Sequence, residues 1–155
     1  MVGPFRFAAP EAREDSADLV FMPEATASDW AKVFAHAKPL RVSAGLAVLQ
    51  AGERDRGLYL LTEGTLGVRL PREDTPFKAI EAPAVVGELS FFDGLPRSAT
   101  LEALTDVEAV RLDPAAFDRL AAEEPELART LLLDLARILA LRLRMASAVI
   151  AELRG

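Results

Sequence analysis

Residues 85–103 read VVGELSFFDGLPRSATLEA, and they hold a carboxylate, Glu88, and a guanidinium, Arg97, nine residues apart between two apolar runs. A small anion is recognised by backbone N–H groups at a helical turn together with a bidentate cation. GELSFF predicts such a turn, with the amides of Gly87, Glu88 and Leu89 facing the anion. The turn-forming Asp93-Gly94-Leu95-Pro96 brings Arg97 back over it, and Ser98 adds a hydroxyl and an amide. A carboxylate beside an anion needs another task, and accepting a hydrogen bond from a sugar hydroxyl is one. A ligand with a phosphate at one end and a ribose hydroxyl nearby satisfies both charges. The plainer alternative is a structural ion pair between Glu88 and Arg97.

The elements that position this pair surround it. Between residues 40 and 112 short apolar runs alternate with turn signals: LRVSAG, LAVLQAGE, GLYLLTEG, TLGVRLP, FKAIEAP, AVVGE, SATLEAL and DVEAVRLD. Many short strands at close spacing predict a mainly β fold, a jelly-roll-like β-roll. LTEGTL is expected to make a hairpin turn centred on Glu63-Gly64. Upstream, TASDWAKVFAHA predicts a short helix capped by Thr26 or Ser28, with Trp30, Val33 and Phe34 on one face and Pro39 at its end. Downstream, Asp113 is a good N-cap and Pro114 suits the first helical position. PAAFDRLAAE follows as a short helix, and a long one starts near Pro125. Residues 1–24 are rich in Pro, Ala and alternating charge, and read as an arm with little structure of its own, packed by Phe5, Phe7 and Phe21. The chain thus divides into an N-terminal arm (1–24), a β-roll (25–124) and a C-terminal helix (125–155).

On a helical wheel Leu132, Ala136, Leu139, Leu143, Ala146, Ile150 and Leu153 form one stripe. Leu131, Leu135, Ile138, Leu141, Met145 and Val149 form a second beside it. Together they exceed the ~100° apolar face that packing on one core requires. One stripe is expected to cover the roll and the other to form a coiled-coil-like homodimer seam, the plainer alternative being a helix sunk in one core.

GELSFFDGLPRSAT resembles the phosphate-binding cassette of the cyclic nucleotide-binding domain family. VLQAGERDRGLYLLTEGTLGV resembles that family's preceding strands, and LDPAAFDRLAAEEPELARTLL its following helices. The resemblance covers about residues 28–150, and a motif in its predicted structural context is stronger than a bare match. It implies a β-roll that binds cAMP or cGMP, with no metal. Glu88 would hold the ribose 2′-hydroxyl and Arg97 the cyclic phosphate. Gly87, Leu89, Ser90, Ser98 and Ala99 would lie along phosphate and sugar. The last helix would close over the purine, bringing Arg142, which pairs with Glu88, and Ser147. In the catabolite-activator branch of the family that helix is also the dimer interface, and Ala146 stands where that branch has an adenine-reading threonine.

The composition narrows the remaining classes. The chain has 155 residues, a net charge of −6, no cysteine and one histidine, His36. Cysteine chemistry is excluded, and a cupin-type metal enzyme lacks its imidazoles. An acidic chain that stops at Gly155 is not expected to bind DNA by itself. No secretory signal or membrane span is read, so a cytoplasmic protein is expected. GERDRG (52–57) and PRED (71–74) read as solvated turns, and Asp55 and Asp93 as turn formers. No acid–base pair or activated nucleophile stands out, so the chain is read as a stand-alone sensor that acts on an unknown effector protein rather than as an enzyme. The alternatives are a dimeric scaffold that has lost its ligand and a sensor fragment of a transcription regulator.

Overall fold

The structure is a computed structural model and describes residues 4–8 and 19–155. Each of the eight apolar runs forms a strand: β1 (Lys38–Val42), β2 (Ala47–Leu49), β3 (Leu58–Glu63), β4 (Thr65–Arg69), β5 (Lys78–Glu81), β6 (Ala84–Val86), β7 (Thr100–Ala103) and β8 (Val107–Leu112). They make two four-stranded antiparallel sheets, ordered β1-β8-β3-β6 and β2-β7-β4-β5. Helix α1 (Ala27–His36) precedes the roll, α2 (Glu88–Asp93) interrupts it, and α3 (Pro114–Glu123) and α4 (Pro125–Arg154) follow it.

Strand alternation builds two cores at once. On β3, Leu58 and Leu60 face the helices, while Tyr59 and Leu61 face the interior between the sheets. On β8, Val110 and Leu112 face the helices, while Val107 and Ala109 face inward. Both faces of the β1-β8-β3-β6 sheet are therefore covered. Leu131, Leu135 and Ile138 of α4 are fully buried against its outer face. Each such side chain contributes about 1.5–3 kcal/mol of burial.

The helix boundaries follow local signals. Thr26 and Asp29 form a reciprocal capping box at the start of α1. The Asp113 side chain accepts from the Ala116 N–H at 2.8 Å, with Pro114 in the first turn of α3.

One expectation is corrected. The Glu63-Gly64 turn is not a hairpin, because β3 and β4 lie in different sheets and the turn carries the chain from one to the other. Gly64 has φ +98°, and a Cβ there would meet the Asp106 carbonyl at 2.4 Å, so the corner needs glycine for both reasons. The N-terminal segment, where described, packs through its aromatic residues as expected, and it also pairs by its backbone. Phe5, Phe7, Leu19 and Phe21 are buried in the helix-side core, and Arg6 bridges both Val20 and Ala84 of β6. Apolar burial and backbone pairing outweigh the local composition. The rest of that expected arm, residues 1–3 and 9–18, lies outside the described residues.

On α4 the outer stripe is partly covered at Leu132, which packs on the core, and is exposed further along, with Leu143, Ile150 and Leu153 exposed by 69%, 56% and 82%. No helix among the described residues is long and apolar enough to cross a membrane.

Candidate ligand-binding site

The GELSFFD stretch folds as expected into a short helix, α2, immediately after β6. Gly87 joins the two with φ +85°, a conformation that L side chains rarely adopt. Glycine is also required there by space, because a Cβ would meet the Gly57 carbonyl at 2.8 Å and Arg97 Nη1 at 2.9 Å. After α2, Gly94 ends the helix and the chain returns to β7 through Arg97.

A cavity of about 200 Å³ opens at this junction. Gly87, Glu88, Leu89 and Ser90 line one side, Arg97, Ser98 and Ala99 another, and Arg142 reaches in from α4. Leu49, Val68, Ile80 and Leu101 form an apolar wall, with Phe77 and Lys78 at its edge and Ala8 contributed by the N-terminal segment. Ser147 is not in this cavity. It is exposed and lines a shallow depression with Ala140, Leu143 and Arg144. Five residues on a helix turn the side chain about 140° from Arg142, so one copy of α4 cannot present both to the same pocket.

Glu88 and Arg97 are 6% and 5% exposed, and they do not pair with each other. Glu88 Oε1 accepts from Arg142 Nη1 in a short contact. Arg97 Nη1 donates to the Gly87 carbonyl at 2.9 Å, and Nη2 donates to the Gly57 carbonyl at 2.7 Å and to Asp55 Oδ2 at 3.0 Å. The Nε–H groups of Arg97 and Arg142 are both buried and make no hydrogen bond among the described residues. A buried, unmatched guanidinium donor is costly unless something else accepts from it. Both arginines line the cavity, so it is edged by two guanidiniums and the Glu88 carboxylate.

The anchor behind Arg97 was not expected. Asp55, read from the sequence as a turn former, accepts from Arg97, from Arg111 Nη2 at 2.5 Å, from the Tyr59 hydroxyl at 2.6 Å and from the Gly57 N–H at 3.1 Å. Burial alone pushes its carboxyl up, but these donors together outweigh burial and hold it well below the usual carboxylate range. Burial, then the hydrogen bond to Asp55, pushes the Tyr59 phenol up to about 12. Burial disfavours the Arg111 charge, but Asp55 more than offsets this and raises its pKa. Arg111 also donates to Asp113, the cap of α3, so the network runs from the cavity to the helices. The sequence carried one clue: Arg111 sits at the same strand parity as the inward-facing Val107 and Ala109, and in register with Tyr59. A charge at an inward position needs a buried partner.

A β-roll with a buried carboxylate and arginine at a Gly-initiated helical insertion is the arrangement that the sequence resemblance implies. The model of the cyclic nucleotide-binding domain family matches residues 39–124, and the chain belongs to that family. The chain is 34% identical over 119 residues to a CRP-like cAMP-activated global transcriptional regulator of Mycobacterium tuberculosis, covering 75% of this chain and 51% of the regulator. It is 33% identical over 94 residues to a cyclic nucleotide-gated potassium channel of Rhizobium etli, covering 61% of this chain and 26% of the channel. The chain therefore spans about half or less of the curated relatives it matches. Among solved structures, the N-terminal domain of a transcriptional regulator from Streptomyces coelicolor is similar with a TM-score of 0.65 at 28% identity, covering 78% of this chain and 86% of that one. The catabolite activator protein of Thermus thermophilus shares the fold with a TM-score of 0.71 at 23% identity, covering 83% of this chain and 60% of that one.

Proposed function

We propose that this chain is a cyclic nucleotide sensor, binding cAMP or cGMP without a metal, and that it is a regulatory module rather than a catalyst. The observation that carries the reading is that two arginines, Arg97 and Arg142, and the buried carboxylate of Glu88 line one cavity at the start of α2. In this reading the cyclic phosphate accepts from Arg97, which Asp55 and two carbonyls hold in place. Glu88 accepts from the ribose 2′-hydroxyl. Gly87, Leu89, Ser90, Ser98 and Ala99 lie along phosphate and sugar, and Val68 and Ile80 offer apolar surface to the base.

Signalling follows from the link between the cassette and α4. Arg142 of α4 donates to one oxygen of Glu88, Oε1, and the other oxygen remains to accept from a ribose hydroxyl. The cavity, at about 200 Å³, is smaller than the ~300–1,000 Å³ of typical small-molecule sites. A nucleotide needs a larger site than this, and Arg142 ties the cassette to α4, so binding favours a different placement of that helix. Ligand then shifts a pre-existing equilibrium by its differential affinity for the two placements. The exposed stripe of Leu143, Ile150 and Leu153 supports a homodimer seam along α4. In such a dimer, Ser147 of one copy is free to serve the other copy's ligand. The altered α4 surface is what an effector protein would read.

Calorimetric titration with cAMP and separately cGMP, on the wild-type chain and on Arg97→Ala, tests this. Binding of at least one nucleotide, weakened about 30-fold or more by Arg97→Ala, is expected. No heat with either nucleotide, together with an unchanged Tm, refutes the sensor reading and favours the ligand-free scaffold.

A further inference from the structure

The charged loop Gly52–Gly57, with sequence GERDRG, grips the cassette at both ends. At one end it is zipped to the backbone of Arg97: the Gly52 N–H donates to the Arg97 carbonyl at 2.8 Å, and the Arg97 N–H donates to the Glu53 carbonyl at 2.8 Å. At the other end Arg56 reaches α2. Its Nη2 donates to the carbonyls of Phe91 at 2.9 Å and Phe92 at 3.3 Å, and its Nε to that of Ser90 at 3.4 Å.

Helix α2 has six residues, too few to be stable alone. Its N-cap, Gly87, provides no side-chain hydrogen bond. The last carbonyls of a helix have no donor within it. The Gly94 N–H takes that of Ser90, and Arg56 supplies those of Phe91 and Phe92. A guanidinium at this end also opposes the negative pole of the helix. At its N-terminal end α2 is also held by Arg97 on the Gly87 carbonyl and by Arg142 on Glu88, and Phe91 packs edge-on against Phe117 of α3 at 6.0 Å. Six residues of helix span about 9 Å, so fixing the C-terminal end fixes where the N-terminal end lies.

We propose that Arg56 is a positioning residue for the nucleotide pocket: by holding the C-terminal carbonyls of α2 it sets the placement of Gly87, Glu88 and Leu89 at the ligand. Arg56 does not line the cavity and acts through α2. The inference rests on the sensor reading above. Because the same loop holds the backbone of Arg97, it keeps the carboxylate and the phosphate-facing arginine in fixed register with each other.

The test uses the full chain with Arg56→Gln and Arg56→Lys. Calorimetry with cAMP and cGMP is paired with amide hydrogen exchange at Phe91 and Gly94 without nucleotide. Arg56→Gln is expected to weaken binding about tenfold and to speed exchange at both amides by a similar factor, while the strand amides of β3 and β8 are unchanged. Arg56→Lys restores the charge and one donor, and is expected to bind within about threefold of wild type. A merely structural loss of stability would raise exchange across the domain and would not be rescued by lysine. Binding by Arg56→Gln within about twofold of wild type overturns the positioning role alone. A wild-type chain that binds neither nucleotide overturns the sensor reading and this inference with it.

Discussion

Replacing Asp55 by asparagine should destabilise the protein in a pH-dependent way. Oδ1 of Asp55 serves Arg111 and the Gly57 N–H, while Oδ2 serves the Tyr59 hydroxyl and Arg97. An asparagine turned with its oxygen toward Arg111 keeps the first pair of bonds. Its NH₂ then faces Tyr59, which can turn to accept, and Arg97, which cannot. The opposite orientation sets the NH₂ against both Arg111 and the Gly57 N–H. In either case a guanidinium loses its charged partner at Asp55 and keeps its other acceptors. Breaking a fully buried ion pair costs about 3–5 kcal/mol. The Arg97 side chain is 4% exposed, but those of Asp55 and Arg111 are 20% and 30% exposed, so water offsets part of the loss. About 2–3 kcal/mol remains, which for a chain of this size lowers Tm by roughly 5–10 °C. The folded-state pKa of Asp55 is depressed, so as pH falls the unfolded chain takes up this proton first. The carboxylate's stabilisation is therefore complete above the unfolded pKa of about 4 and is lost as pH falls toward the folded value. Melting curves of both proteins between about pH 7 and pH 3 should show the gap widest near neutrality and shrinking below about pH 4. An Asp55→Asn protein melting within about 2 °C of wild type near pH 7, or a gap that does not change with pH, would refute the reasoning.

Three further outcomes follow from single observations. Gly87→Ala places a methyl group 2.8 Å from the Gly57 carbonyl and 2.9 Å from Arg97 Nη1, so calorimetry should show nucleotide affinity falling by about tenfold or more; wild-type affinity would contradict the placement of Arg97. Asp113→Ala removes the cap of α3 and should cost about 1 kcal/mol, read as a fall in Tm of roughly 2–4 °C. Leu143→Glu combined with Ile150→Glu alters exposed positions of α4, so sedimentation equilibrium should show a wild-type dimer become a monomer; a monomeric wild type ends the dimer proposal.

The amino-acid sequence alone determined the number of strands, the positions of α1, α3 and α4 and the cassette, because these depend on local signals. Alternating apolar residues mark the β3 and β8 strands, Asp113-Pro114 starts a helix, and Gly87 and Gly94 bracket a short one. Of the nine expected site residues, seven lie in one thirteen-residue stretch, 87–99, and the fold places these and Arg142, but not Ser147, along one cavity. Tertiary structure alone decided which charges meet. Glu88 and Arg97 are neighbours in sequence, yet the first pairs with Arg142, 54 residues away, and the second with Asp55, 42 residues away. Asp55 and Arg56 look like turn residues because turn chemistry and ion pairing use the same side chains. Their partners lie on β8, on α2 and beyond it at Arg97, and only closure of the two sheets brings these together. The same closure sends the chain around Gly64 from one sheet to the other rather than through a hairpin. Burial and pairing across the fold are sums over distant residues, and no local window of the sequence contains them.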